Sequence, residues 1–171
     1  MSVSEEQQRT AQDQQQDGVG AALDIVFDVA KWLVQNSGAV GGLWAQMTHG
    51  VTNIKEWVNE TNYEVEVWKL DGGFRRKDHF RIPPRQTVHA ELWVSWADNE
   101  QQYADHHVTI VVGGQPLAYL HQSGKLVRFN TVEEFADGAV GVPGACGAGG
   151  DRRAVIGADP QGRRGFMIST L

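Results

Sequence analysis

The chain has a single cysteine, Cys146, in 171 residues. No internal disulfide is available, so the fold must rest on burial and hydrogen bonding, as is usual in a reducing compartment. Long apolar runs are also missing. The longest, Ala21 to Val34, is interrupted by Asp24, Asp28 and Lys31, which excludes an ordinary membrane span. The opening, MSVSEEQQRTAQDQQQD, has no cationic start followed by apolar residues. No signal peptide is visible, and the expectation is cytoplasmic residence or leaderless secretion. Basic excess is absent as well: the net charge is −6, and the first 50 residues hold only Arg9 and Lys31 against six acids. Arg75-Arg76-Lys77, Arg152-Arg153 and Arg163-Arg164 are interleaved with acids and read as solvated strand ends. No nucleic-acid partner is expected, since that would need basic excess on one face.

What the chain does have is bulk for one core and material for many turns. Six Trp and six Phe supply the first and twenty Gly the second. Residues 1–16, rich in Gln and Glu without apolar periodicity, are expected to be a disordered tail. Residues 17–50 form a helical segment. There Val19, Leu23, Val26, Val29 or Ala30, and Leu33 recur at helical spacing, with Asp24, Asp28, Lys31 and Gln35 opposite. Asp17 serves as N-cap and Asn36-Ser37-Gly38 as a stop, so a helix is predicted from about 18 to 35. Val40, Leu43, Trp44 and Met47 suggest a weaker second helix, against which Gly38, Gly41 and Gly42 each cost about 1 kcal/mol.

From residue 51 to 171 the period changes to alternation. Strands are predicted at Asn53–Val58, Tyr63–Leu70, Phe74–Arg81, Thr87–Trp96, His106–Val112, Pro116–His121, Leu126–Asn130, Arg152–Ile156 and Gly165–Ser169. In Thr87–Trp96, the residues Val88, Ala90, Leu92, Val94 and Trp96 share one face, predicted to lie inside with Val108 and Ile110. Asp71-Gly72-Gly73, Pro83-Pro84, Gly113-Gly114, Ser123-Gly124-Lys125 and Ala158 to Gly162 are turns. The stretch 138–150, GAVGVPGACGAGG, reads as a long loop. The expected fold is mainly β, an antiparallel β-sandwich of about nine strands preceded by an amphipathic N-terminal helix.

Candidate chemistry is sparse. His106 and His107 beside Asp105 point to opposite faces of a strand and cannot share an ion. His89 and Glu91 make an H-x-E pair without the C-x-x-C that a zinc deaminase needs. Cys146 leads into a strand rather than a helix, unlike a nucleophile elbow. Asp98, Glu100 and Asp105 lie on a polar loop that lacks a calcium-ligand pattern. No metal, cofactor or catalytic residue is therefore assigned, and enzyme activity is not expected. Aromatic residues are more suggestive. Trp93 sits opposite the apolar face of its strand, and Trp96 and Tyr103 flank the polar loop, the way sugar and headgroup sites are built through stacking.

An amphipathic helix, a Gly-containing link, Ile54 to Val58, the turn Asn59-Glu60-Thr61-Asn62, a strand with Trp68, Ile82-Pro83-Pro84 and Arg164-Gly165-Phe166-Met167 follow one another in this order. The order resembles that of actinoporin-like pore-forming proteins, over the N-terminal half and the last residues. The family's Pro-aromatic-Asp motif and Tyr-rich phosphocholine site have no recognisable counterpart, so its lipid-binding residues are not carried over. The resemblance implies a lipid-binding, pore-forming sandwich whose helix detaches and enters the membrane through Val19, Leu23, Val26, Ala30 and Leu33. Its acidic polar face would call for a zwitterionic surface. The alternative is a lectin-like or other ligand-binding sandwich with a purely structural helix. Trp93, Trp96 and Tyr103 are the expected contacts in either case. The expected partner is a membrane lipid headgroup or a carbohydrate, with a homo-oligomer left open.

Overall fold

The computed structural model describes residues 3–40, 50–70, 72, 76–133, 135 and 139–171. A single long helix, α1 (Val3–Asn36), comes first. It starts well before the expected residue 18 and takes in most of the segment read as a disordered tail. That segment lacks an apolar stripe, but Glu, Gln, Arg and Ala are good helix formers and no Gly or Pro precedes Gly18. At the other end Ser37 N–H closes on the Leu33 carbonyl at 2.8 Å, and the Asn36 amide donates to the Trp32 carbonyl. The weaker helix expected around Val40 to Met47 falls almost wholly outside the described residues.

Ten strands follow among the described residues: β1 (Thr52–Asn59), β2 (Val65–Leu70), β3 (Arg76–Ile82), β4 (Thr87–Trp93), β5 (Val108–Val112), β6 (Gln115–Ser123), β7 (Leu126–Asn130), β8 (Val140–Gly141), β9 (Gly150–Ala158) and β10 (Arg164–Thr170). A short helix, α2 (Glu100–Asp105), occupies the polar loop after β4. The strands form a four-stranded sheet ordered β10-β9-β1-β4 and a six-stranded sheet ordered β3-β2-β5-β6-β7-β8. Every named pairing is antiparallel except β1 with β9, which is parallel, so the sheets are antiparallel-rich rather than purely antiparallel. The 138–150 region contributes the two-residue β8 and isolated bridges from Gly144 to Ile168 and from Gly147 to Leu126.

One core serves both sheets. Ile54, Trp57, Leu92, Ile156, Phe166 and Ile168 of the first meet Val65, Val67, Ile110, Leu120, Val127 and Phe129 of the second. Phe129 and Phe166 touch edge to face at 5.1 Å, and the Trp57 indole N–H finds the Ala90 carbonyl at 3.1 Å, which lets a large amphipathic ring be buried without cost to its donor. Buried Gln122 ties the sheets at one end. Its Oε1 accepts from Thr52 N–H and Oγ1, and its Nε2 donates to the Gly50 carbonyl.

The alternation predicted for Thr87–Trp96 ends early. Leu92 and Val94 are buried, but so is Ser95, and Trp96 is exposed. β4 stops at Trp93; Val94 N–H still bonds the Thr52 carbonyl of β1, but from Ser95 onward the backbone leaves the first sheet to bond with Gln122 of β6. That turn of the chain reverses the parity on which Trp96 was placed inside.

α1 lies along β10 and β9. Val26, Val29, Ala30 and Leu33 are buried, with Val58, Val155 and Met167 beneath the last three. Close approach is possible because Gly157 and Gly165 face the helix. A Cβ on Gly157 would run into the end of Leu33. One on Gly165 would lie 2.6 Å from Val29 Cβ and 3.1 Å from the Val26 carbonyl oxygen.

Candidate functional site

The three aromatic residues singled out from the sequence do not share one environment. Trp93, at the end of edge strand β4, is 50% exposed, and Trp96 is 45% exposed with its indole N–H donating to Asp98 Oδ2 at 2.7 Å. Ser123 Oγ holds the other oxygen of the same carboxylate. Asn99 caps α2 by accepting from Gln102 N–H, and the Gln102 side-chain oxygen accepts in turn from Asp98 N–H. These polar side chains are thus committed to building the turn.

Tyr103, by contrast, is buried. Its ring stacks on His107 at 4.6 Å and meets His121 edge-on at 5.3 Å, with Phe135 at 5.9 Å. His107 Nδ1 bonds the Tyr103 carbonyl at 2.7 Å, and its Nε2 lies 3.2 Å from Glu133 without hydrogen-bond geometry. Among the described residues neither ring nitrogen of His121 has a partner. Burial pushes His121 down to about 4, helped by Arg128 and His107 and opposed by Asp98. A neutral imidazole packed among rings is a core element. The other pairs noted in the sequence also separate, His89 facing Glu56 at 3.8 Å while Glu91 faces Lys55. Among the described residues no three His, Cys, Asp or Glu side chains converge on a metal position.

A cleft of about 620 Å³ opens at the opposite end of the sheets. Its walls come from the end of α1 (Trp32, Asn36), the β1–β2 turn (Asn59 to Tyr63), the β3–β4 corner (Arg85), the β9–β10 turn (Ala158 to Gly162) and Arg164. Buried Asn59 holds these pieces together. Its amide nitrogen reaches the carbonyls of Tyr63, Ile82 and Pro83 at 2.7, 3.0 and 3.1 Å, while its Oδ1 accepts from Thr61 N–H and Oγ1. One side chain therefore pins the β1–β2 turn to the β3–β4 corner. In the sequence Asn59-Glu60-Thr61-Asn62 read only as a turn, because an Asx turn looks the same whether or not its amide crosses to another strand pair.

The rim is aromatic and cationic. The Tyr63 ring, 52% exposed, lies on the Gly113 backbone, where an added Cβ would meet it at 3.0 Å. The Arg164 guanidinium covers the ring at 4.4 Å and anchors to the Val112 carbonyl at 2.6 Å. Arg85 Nε donates to Asn62 Oδ1 at 3.0 Å. Among the described residues no carboxylate pairs with Arg85 or Arg164. The cleft's own carboxylates are engaged elsewhere: Glu60 accepts from Ser37 Oγ, and Asp159 takes Arg163 Nε at 2.7 Å and two backbone N–H groups. Desolvation works against the Asp159 charge, but the bonds and charge of Arg163 outweigh it and hold the carboxyl below its ordinary value.

Of the residues expected to face a membrane, Val26, Ala30 and Leu33 are buried and Leu23 packs partly against the core. Val19 is on the same helix, outside the residues whose side chains are described. Among the described residues no helix is long and apolar enough to cross a membrane. Comparisons of the chain with protein-family models, with curated proteins and with solved structures returned no match.

Proposed function

We propose that the chain is a non-enzymatic ligand-binding β-sandwich in which α1 is a fixed part of the scaffold. Its ligand is a small polar molecule of sugar or headgroup size. The observation that carries this reading is the cleft between the helix end and the β1–β2 turn. At about 620 Å³ it falls within the size range of small-molecule sites, with Trp32 and Tyr63 as apolar walls and a few fixed polar groups between them. Its carboxylates are tied to Ser37 and Arg163 and among the described residues no His lines it, which leaves it poor in groups for acid–base chemistry. The seating of Val29 and Leu33 over two glycines favours a helix that stays in place over one that detaches.

The test is titration of the full chain with neutral and charged monosaccharides and with soluble headgroups, following Trp fluorescence and calorimetric heat. The expected result is saturable binding that Trp32→Ala weakens by an order of magnitude while Trp93→Ala leaves it unchanged. Binding abolished by Trp93→Ala and untouched by Trp32→Ala would move the site to the exposed edge of β4. The membrane reading is separated by dye release: permeabilisation of zwitterionic liposomes by the full chain would show that α1 leaves its seat and would end the fixed-scaffold proposal.

A further inference from the structure

We infer that the ligand of this cleft carries an oxyanion, a phosphate ester or a carboxylate, received by Arg85 and Arg164; the inference rests on reading the cleft as the binding site. Two guanidiniums on one rim without a carboxylate partner among the described residues are the first reason. Arg presents planar, bidentate donors suited to both oxyanions, and among the described residues each of these two bonds only one neutral oxygen, Asn62 Oδ1 or the Val112 carbonyl. The second reason is the backbone under Arg85. Pro83 to Gln86 is a β-turn closed by Gln86 N–H to the Pro83 carbonyl at 3.2 Å, with Pro84 at its second position and Arg85 at φ 61°. A left-handed third position favours Gly, and a long side chain there is strained. The strain is borne at a residue whose side chain lines the cleft and is held by Asn62. The third reason is Arg164, which Tyr63 and the Val112 carbonyl hold from two sides, so little rotamer freedom remains to be lost on binding.

Glu60 and Asp159 also line the cleft and oppose an anion, but Asp159 is neutralised by Arg163, which itself reaches Asp28 at 3.7 Å. Glu60 remains, hydrogen-bonded to Ser37 at the α1 end. An oxyanion therefore belongs on the Tyr63 side, away from Glu60, with the rest of the ligand against Trp32.

The experiment measures binding of inorganic phosphate, a hexose 6-phosphate, a hexuronic acid and the parent neutral hexose, and of vesicles with and without phosphatidic acid. It uses the full chain and the variants Arg85→Gly and Arg164→Gln. Arg85→Gly relieves the backbone, so it is expected to melt higher while binding the charged probes at least tenfold more weakly, which separates lost recognition from lost folding. Arg164→Gln is expected to weaken them similarly, and added salt to do so in the unsubstituted chain. Charged sugars bound in preference to vesicles would identify a soluble ligand, and the reverse a lipid headgroup; either supports the inference. Neutral hexose bound as well as its phosphate, with both variants unaffected, overturns it and leaves the cleft as a binding site. No saturable binding of any probe, with Trp32→Ala indistinguishable from the unsubstituted chain, overturns both.

Discussion

Asn59 shows how much of the site depends on one side chain. It satisfies carbonyls on two separate turns and accepts from a third position, so Asn59→Ala strips several buried groups at once. The expected cost is about 3 kcal/mol, since each buried group left unpaired loses roughly 1–3 kcal/mol and solvent can reach some of them. Urea unfolding would read it as a lower midpoint at unchanged slope; a midpoint within error of the unsubstituted chain would show that the Asn59 bonds are dispensable. His121 matters in a different way. Its folded value of about 4 lies below the ordinary 6.5, so the unfolded chain binds its proton first as pH falls. The stability that neutral His121 permits is therefore complete above pH 6.5, declines between 6.5 and 4, and is gone below 4, a total of about 3 kcal/mol for a shift of this size. His121→Phe keeps the ring packing against Tyr103 and Phe135 without the titration. The gap in melting temperature between the native chain and this variant should move in favour of the variant on going from pH 7 to pH 4.5. A gap independent of pH would rule out His121 as the acid-sensitive group.

Among the elements, the helix and its seat make the sharpest comparison. Gly157→Ala meets only the tip of Leu33, which can turn aside, whereas Gly165→Ala meets Val29 Cβ and the Val26 backbone, which cannot. Overpacking of the second kind costs about 2–3 kcal/mol and the first less than about 1 kcal/mol. Thermal melts of the two variants should differ accordingly, and equal melts would mean the helix lifts freely. Removing residues 1–36 uncovers Val155, Met167 and the β10 edge, and is expected to leave a chain that aggregates or melts far below the full one. A folded truncation of unchanged melting temperature would favour a detachable helix. The elements themselves were largely legible. Alternation and turn chemistry located nine of the ten strands within a few residues, since a half-buried strand writes its faces into the chain. β8 escaped because two residues in a Gly-rich stretch carry no period, and α2 because six mostly polar residues are too short to show an apolar stripe. The parallel pairing of β1 with β9 was illegible in principle: both segments read as strands, and no local signal names a partner some hundred residues away. The cleft was missed for the same reason, being made of three turns, a helix end and a strand start that meet only after the strands have paired.

At the scale of the whole molecule, the order of segments in the first sheet separates neighbours in space by long stretches of chain. β1 sits between β4 and β9, and the surface that receives Val26, Val29 and Leu33 comes mostly from β9 and β10, with Val58 of β1. A ribosome adding 5–20 residues per second makes that surface roughly ten seconds after the helix itself. Throughout that interval the helix displays an apolar stripe with nowhere to settle, and the first sheet lacks two of its four strands. Synthesis thus leaves the second sheet, whose strands β2, β3, β5, β6 and β7 follow one another closely, as the earliest part able to assemble. The helix, made before either sheet, is among the last elements to find its place, and in the meantime its greasy side stays open.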